Sequence, residues 1–127
     1  MLQNIYATFV VSSFESSLAF YDAIFKPLGY QRLHTTDGEV KSAEYGIDPT
    51  AKVLEIVEGQ NFTLPGLPVM TVTLPCKEKS IVDLVHDTAL KMGGIEVAKP
   101  SLNANQTYST SIKDPDGHAL VIKFSQS

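Results

Sequence analysis

The chain of 127 residues carries one sequence pattern twice, and this internal repeat constrains its fold more than any other feature. The segment IYATFVVSSFESSLAFYDAIFKPLGYQ, residues 5–31, resembles VMTVTLPCKEKSIVDLVHDTALKMGGIEV, residues 69–97, at an offset of 65 residues. This offset places Tyr6 on Thr71. Because each copy of a repeat folds into the same supersecondary unit, the sequence predicts two similar halves.

The end of each half is repeated as well. IDPTAKVLEI, residues 47–56, matches KDPDGHALVI, residues 113–122, at an offset of 66 residues, and this alignment places Glu55 on Val121. In both copies an Asp-Pro pair predicts a turn that leads into a strand, since proline presets one backbone angle of the turn.

Each half is predicted to contain a strand, a helix and three more strands. Strands are predicted at residues 5–11, 30–35, 40–45 and 52–57 in the first half, and at 69–74, 95–98, 107–113 and 119–124 in the second. Between the halves lies GQNFTLPGLP, which is rich in turn-forming residues. We therefore predict a single domain over residues 1–127, made of a module at 1–58, a linker at 59–67 and a module at 68–127.

Each half also carries one helix signal. In the first, Ser12-x-x-Glu15 resembles a capping box, and an apolar stripe follows at three- and four-residue steps: Leu18, Tyr21, Phe25 and Leu28. In the second half the stripe is Ile81, Leu84, Val85, Ala89 and Met92, ending at a Gly-Gly pair. An Asp-Gly pair at residues 37–38 predicts a hairpin in the first half.

Strand alternation separates two kinds of face. One face of the strands is apolar, with Ile5, Ala7, Phe9, Leu54, Ile56, Met70, Val72, Leu74, Leu120, Ile122 and Phe124. The other face mixes hydroxyl, charged and apolar groups, namely Tyr6, Thr8, Glu55, Thr71, Thr73, Val121 and Lys123. If the two sheets close around these mixed faces, they enclose a small-ligand pocket. The alternative is an outer face covered by solvent.

Composition excludes several classes of protein. Apolar residues make up 43% of the chain, which is enough for a core, and the net charge is -4, which does not match a nucleic-acid interface. No apolar run is long enough to span a bilayer, and the N-terminus lacks a leader signal, so we expect a cytoplasmic protein without membrane contact. Cys76 is the only cysteine, which excludes an intrachain disulfide.

Two segments resemble a known family. VVSSFESSLAFYDAIFKPLGY and SIKDPDGHALVIKF are similar to segments of the glyoxalase, bleomycin-resistance and extradiol-dioxygenase superfamily, also called vicinal oxygen chelate. The resemblance covers nearly the whole chain. It implies an α+β fold in which two tandem βαβββ modules form a cupped mixed sheet around a site for a small molecule, and it implies a homodimer.

The resemblance also implies where a metal would bind. Metal-dependent members usually place a histidine on the first strand of each module and a carboxylate on the last. These positions fall on Tyr6, Thr71 and Val121, and only Glu55, the counterpart of Val121, keeps a donor. A neutral phenol or hydroxyl binds divalent ions weakly, and valine does not bind them. We therefore expect no metal site and no cofactor, with a divalent metal as the alternative.

Glu55 and Tyr108 are the remaining site candidates. Glu55 points away from the apolar side of its strand and could act as a general base. Alternatively, it pairs with a lysine such as Lys123 or is solvated. Tyr108 either lines the cup or, because it alternates with Ile112, belongs to the core. Turn capping is sufficient to explain Asp114 and Asp116, and the three histidines lack a metal-binding spacing.

Three functional hypotheses follow. The first is a metal-independent binding protein that sequesters a small amphipathic ligand. The second is an enzyme: a glyoxalase-like lyase or isomerase, similar to lactoylglutathione lyase, or a dioxygenase-related enzyme, with an atypical metal site or with Glu55 as general base. The third is a degenerate module that acts through protein association.

Overall fold

The computed structural model of the chain describes residues 6–59 and 70–125. The chain divides into two compact units, Met1–Pro68 and Val69–Ser127. Each described unit contains one helix and one mixed sheet of four strands. This confirms the predicted α+β class and the two tandem βαβββ modules. The linker predicted at 59–67 lies outside the described residues except for Gly59, and so do Ile5 and Val69.

Unit 1 follows the predicted order of elements. They are β1 (Ala7–Val11), α1 (Phe14–Phe25), β2 (Gln31–Asp37), β3 (Lys41–Gly46) and β4 (Lys52–Glu58). The strand order in the sheet is β1-β4-β3-β2. The first strand pairs with the last in parallel, whereas the other pairs are antiparallel. A parallel pair needs a crossover connection, and α1 with the following hairpin supplies it.

Unit 2 repeats the same topology. Its elements are β5 (Thr71–Pro75), α2 (Lys79–Lys91), β6 (Ile95–Leu102), β7 (Thr107–Lys113) and β8 (Ala119–Ser125). The strand order is β5-β8-β7-β6, again with a parallel pair between the first and last strands. Within the described ranges, neither helix combines the length and apolar character needed to cross a membrane.

Helix α1 begins one residue later than its sequence predicts. The N-cap is Ser13, whose side chain accepts a hydrogen bond from the backbone N–H of Ser16, and not Ser12. The capping-box pattern pointed to Ser12, because Glu15 lies three residues after it, whereas Ser13 is followed at that spacing by Ser16. At the other end, the Tyr30 N–H donates to the Phe25 carbonyl at 3.1 Å, and Gly29 adopts a φ of 83° that favours glycine.

The core of unit 1 is a group of aromatic side chains between α1 and the sheet. Tyr21 is fully buried and lies 5.1 Å from Phe20 and 5.3 Å from Phe25, measured between ring centroids. Leu54 and Ile56 of β4 are fully buried beneath the helix. Burial of such side chains is the main source of stability, at about 1.5–3 kcal/mol for each.

The buried face of α2 differs from the predicted stripe. Val85 and Ala89 are buried as predicted, but Leu84 and Met92 are exposed. The helix instead buries Val82, Val85, His86 and Ala89, which follow an i, i+3, i+4, i+7 pattern. The prediction placed Leu84 and Met92 on the buried face and omitted both Val82 and the polar His86.

The turn before β8 matches its sequence signal. The buried Asp114 carboxylate accepts hydrogen bonds from the backbone N–H groups of Asp116, at 3.0 Å, and His118, at 2.9 Å. Gly117 has a φ of 94°. Turn capping by Asp114 is therefore confirmed, and it holds the entry to β8 in place.

His86 connects α2 to the edge strand β6 through carboxylates. Its Nε2 lies 2.6 Å from the Glu96 carboxylate, and its Nδ1 lies 3.0 Å from that of Asp87. Burial by itself would lower the pKa of His86, but hydrogen bonds and charge from Asp87 and Glu96 outweigh it and raise the pKa above the ordinary value. The imidazolium form is thus favoured in the folded protein.

The His86 contacts predict a pH-dependent stability. A histidine whose pKa is raised by folding stabilises the protein fully below its unfolded pKa of about 6.5, and this contribution is lost as the pH rises through the folded pKa. The free energy of unfolding, measured with urea, should therefore fall more between pH 6 and pH 9 in the wild type than in His86→Gln. Equal losses in the two proteins would contradict this assignment.

Candidate functional site

Each sheet has one face covered by its helix and one face turned away from it, which we call the open face. In unit 1, Tyr45 identifies the covered face, because its hydroxyl donates to Asp22 of α1 at 2.8 Å. Tyr45 pairs with Leu54, so the alternate residues Glu44 and Glu55 lie on the open face.

Three of the predicted site residues lie together on the open face of unit 1. The Thr8 hydroxyl donates to Oε1 of Glu55 at 3.2 Å, and these two residues are directly opposite each other in the parallel pair β1–β4. The ammonium of Lys52 lies 5.5 Å from the centre of the Tyr6 ring, a cation–π distance. Lys52 also contacts Glu44, with 3.1 Å between Nζ and Oε2.

Two carboxylates are neighbours on this face. Glu44 of β3 is directly opposite Glu55 of β4 in the antiparallel register. Like charges at opposed positions destabilise a sheet, so this pair requires compensation. Lys52 provides it: the hydrogen bond from its ammonium to Glu44, together with the charges of Glu44, Tyr6 and Glu55, outweighs burial and raises the pKa of Lys52. The result is a cluster of two carboxylates, one ammonium and a phenol, all half-buried, with the exposed hydroxyl of Thr8.

Two members of this cluster, Glu44 and Lys52, were not predicted from the sequence. The signal for them was incomplete. The turn at residues 47–51 is closed by a hydrogen bond from the Ile47 N–H to the Ala51 carbonyl, and its Asp-Pro pair was recognised. Counting outward from that turn gives the observed pair of Gly46 and Lys52 but places Glu44 opposite Leu54, and only the register shift between Tyr45 and Gly46 moves Glu44 opposite Glu55.

The predicted residues of unit 2 also share an open face, but its chemistry differs. Thr73 is opposite Val121, and Lys123 lies two residues further along β8, opposite Pro75, while Thr71 begins β5. On the neighbouring strand β7, Ser111 is opposite Val121 and Ser109 is opposite Lys123. The face therefore presents hydroxyl groups around an aliphatic centre, with an ammonium at one end. At the position of Glu55, this unit has Val121.

Tyr108 lies on the covered face of unit 2, away from these residues. Its hydroxyl donates to Asp83 of α2 at 2.6 Å, and the Lys79 ammonium lies 4.6 Å from its ring centre. Its strand neighbour Ser109 points to the open face. Of the two alternatives that the sequence left open for Tyr108, the structure places it on the same side as Ile112.

The residues at the expected metal positions do not suit a divalent ion. Unit 1 offers the Tyr6 phenol and the Glu55 carboxylate, and Glu55 already accepts a hydrogen bond from Thr8. Unit 2 offers a threonine hydroxyl at Thr71 and no donor at Val121. Such a set has one carboxylate and no imidazole, so it lacks the combination of ligands that holds transition metals. Over residues 6–59 and 70–125, no group of three or more histidine, cysteine, aspartate or glutamate side chains could hold a metal.

Solved structures with the same architecture are numerous. A glyoxalase/bleomycin resistance protein from Albidiferax ferrireducens matches with a TM-score of 0.75 and 20% identity, covering 95% of this chain and 97% of that one. A glyoxalase/bleomycin resistance protein/dioxygenase family enzyme from Burkholderia phytofirmans matches with a TM-score of 0.75 and 15% identity, covering 98% and 100%. A glyoxalase I mutant from Zea mays matches with a TM-score of 0.74 and 22% identity, covering 94% of this chain and 46% of that one.

The sequence matches no family model and no curated protein. The likeness to solved structures is therefore one of fold. It confirms that the chain has the fold of the glyoxalase/bleomycin resistance/dioxygenase proteins, as the two sequence segments indicated.

The Lys52–Glu44 pair predicts a specific pattern of stability. Lys52→Met leaves two opposed carboxylates without their cation, so it should lower the urea midpoint, and Glu44→Gln in the same chain should restore much of the loss. Lys41→Met is the matched control, because Lys41 also pairs with a glutamate, Glu15, at 3.4 Å but on an exposed surface. An equal effect of the two lysine substitutions would contradict the proposed compensation.

Proposed function

We propose that the protein is a metal-independent small-molecule-binding protein that holds an amphipathic ligand on its open sheet faces. The observation that carries this proposal is the cluster on a face that α1 does not cover, where the Thr8 hydroxyl donates to the Glu55 carboxylate and Lys52 pairs with Glu44. Charged groups confined to a partly buried surface are costly unless they are paired, and here each one has a partner.

The surroundings of the cluster supply the apolar half of an amphipathic site. Val10 and Val57 form the next pair along β1 and β4 on the same face as Thr8 and Glu55. Val10, on edge strand β1, is 38% exposed. Ligand sites combine such apolar surface with a few polar groups that fix orientation. We propose that Tyr6, Thr8 and Glu55 provide the polar contacts.

The open face of unit 2, taken by itself, offers a different set of ligand contacts in this proposal. Thr71 and Thr73 can donate and accept hydrogen bonds, Val121 offers apolar surface, and Lys123 offers a positive charge. No transition metal is needed for any of these contacts. The name of the structural neighbour from Albidiferax ferrireducens includes bleomycin resistance, and a ligand-holding role is consistent with that likeness.

We also propose that the protein forms a homodimer, as the family resemblance implies. The support in this structure is edge strand β6, on which Ile95, Val97 and Leu102 are each more than half exposed. Exposed apolar side chains on an edge strand favour association with another chain. The cytoplasmic location remains a prediction.

A thermal-shift screen in the presence of a chelator tests the binding proposal. A ligand present at about 100 times its dissociation constant stabilises the folded state by about 2.7 kcal/mol, which raises the melting temperature by several degrees. Thr8→Val and Glu55→Gln should reduce that shift. Glu15→Gln, which alters an exposed carboxylate on α1, should leave it unchanged. Stabilisation that appears only after addition of a divalent metal would refute the proposal.

The second candidate is an enzyme that uses Glu55 as a general base. The observation that favours it is again the position of Glu55, a half-buried carboxylate oriented by Thr8 on an uncovered face. A general base must be oriented correctly and must lie within hydrogen-bond reach of the proton that it removes. The contact with Thr8 orients the Glu55 carboxylate and so meets the first of these conditions.

Turnover separates the two candidates. If any glyoxalase-type or related substrate is converted, Glu55→Gln should lower kcat by about a hundredfold or more while a conservative Glu55→Asp retains part of the activity. Thr8→Val should lower it less, because Thr8 orients the carboxylate without replacing it. Unchanged kcat in Glu55→Gln would exclude the general-base role.

A further inference from the structure

We propose that unit 1 contains a second small-molecule site, on the covered side of its sheet, that accepts a small aromatic carboxylate. The site is a cavity of about 240 Å³ where the end of α1 meets β2 and β3. Its walls come from Phe25, Tyr30 and Tyr45, and its charged groups are Asp22, Lys26 and Arg32. It lies on the opposite side of the sheet from Glu55 and is independent of the function proposed above.

The walls of this cavity are aromatic. The Phe25 ring packs edge-on against Tyr30, with 5.6 Å between centroids and 89° between planes, and against Tyr45 at 5.2 Å and 74°. Because Phe25 and Tyr45 are no more than 1% exposed, the ring that a ligand can reach is the half-buried Tyr30, which attracts a planar ring through offset stacking or edge contacts. The volume is below the 300–1,000 Å³ typical of drug-sized pockets, so the fitting ligand has a single ring.

The charges around the cavity favour an anion. The Asp22 carboxylate is already used twice, since it accepts the Tyr45 hydroxyl at 2.8 Å and pairs with the Arg32 guanidinium at 3.2 Å. Over the described residues, Lys26 has no ion pair. One carboxylate and two cations leave a local surplus of positive charge, although the whole chain has a net charge of -4 and Arg32 is its only arginine.

The donors needed to hold a carboxylate remain available. Arg32 uses one terminal nitrogen for Asp22 and the other for the Thr35 hydroxyl at 3.3 Å. A guanidinium has five N–H donors, so these two contacts do not saturate it, and the Lys26 ammonium adds three more. Carboxylate contacts with such groups are charge-assisted and stronger than neutral hydrogen bonds.

The helix end does not repel an anion here as an uncapped helix end would. The last carbonyls of a helix carry partial negative charge. At the end of α1 the Phe25 carbonyl accepts from the Leu28 and Tyr30 N–H groups, and the Lys26 carbonyl accepts from Gly29, each at 3.1 Å. These carbonyls are turned into the capping turn, so side-chain cations dominate the rim of the cavity.

Comparison of the two copies of the repeat shows that the fold does not require this arrangement of residues. At the offset of 65 residues, Lys26 corresponds to Lys91, at the end of α2. A lysine at a helix end is favoured by the helix dipole in both units, and needs no ligand to explain it. Tyr30 and Arg32 correspond instead to Ile95 and Val97. The aromatic wall and the guanidinium therefore belong to unit 1 alone.

Titration of the full chain with sodium benzoate at constant ionic strength, followed by amide NMR, tests the proposal. Saturable shifts are expected at residues 25–32 and 45, with smaller shifts for cyclohexanecarboxylate, which has the charge but no aromatic ring. Lys26→Ala should weaken benzoate binding about fivefold, the effect of losing one exposed ion pair, and Lys26→Glu should abolish it. Lys91→Ala is the matched control and should bind benzoate like the wild type.

Three outcomes would overturn the proposal. They are the absence of saturable shifts at the cavity, equal binding by Lys26→Glu and the wild type, and equal weakening by Lys91→Ala. Shifts confined to Thr8, Glu55 and their neighbours would also overturn it, and would instead support ligand binding on the open face. Because Lys26 is exposed, its variants are expected to fold, and unchanged spectra outside the cavity verify this.

Discussion

The parallel pairing of the first and last strand in each unit is the constraint on which the rest of the structure depends. Ala7–Val11 pairs with Lys52–Glu58, and Thr71–Pro75 pairs with Ala119–Ser125. A parallel pair cannot be joined by a tight turn, so the helix must cross one face of the sheet. The same pairing aligns Leu54 and Ile56 beneath that helix and leaves Glu55 on the other side. Core and candidate site are thus set by one register.

The covered and open faces of the unit 1 sheet carry different kinds of side chain. The covered face of unit 1 forms an aromatic core. At the edge of this core, the buried hydroxyl of Tyr45 is satisfied by a hydrogen bond to Asp22. Burial and the Asp22 carboxylate raise the pKa of Tyr45, so its hydroxyl stays protonated. The open face can hold charges because they are mutually paired. The repeat made both faces available in each unit, but Glu55 corresponds to Val121, so the units have diverged from a carboxylate cluster to a hydroxyl face.

The sequence predicted most of the fold because its signals are local and occur twice. Strand β7 was predicted with its observed ends, and most other strands within one or two residues of theirs. The errors lie where a local pattern is ambiguous. Ser12 and Ser13 are adjacent residues that can both cap a helix, although only Ser12 has a glutamate at the capping-box spacing, and Leu84 and Val82 are both aliphatic members of one helix. In each case packing against the sheet makes the choice, and a propensity pattern does not contain that information.

The candidate site was predictable in part for the same reason. Alternation along single strands placed Thr8 and Glu55 on one face, and the structure brings them into contact. Glu44 and Lys52 were missed because their place in the cluster depends on the register between two strands, including an irregularity near Gly46.

The sequence by itself determined the repeat, the order of elements and the side of each strand that is apolar, since these depend on residue spacing along the chain. Only the tertiary structure decided which charges meet and which cavity forms. Glu44 and Glu55 are distant along the chain, and so are Asp22 and Arg32, yet both pairs are neighbours in space. Electrostatic and hydrogen-bond energies depend on distances of a few ångströms, and those distances exist only after the strands have paired.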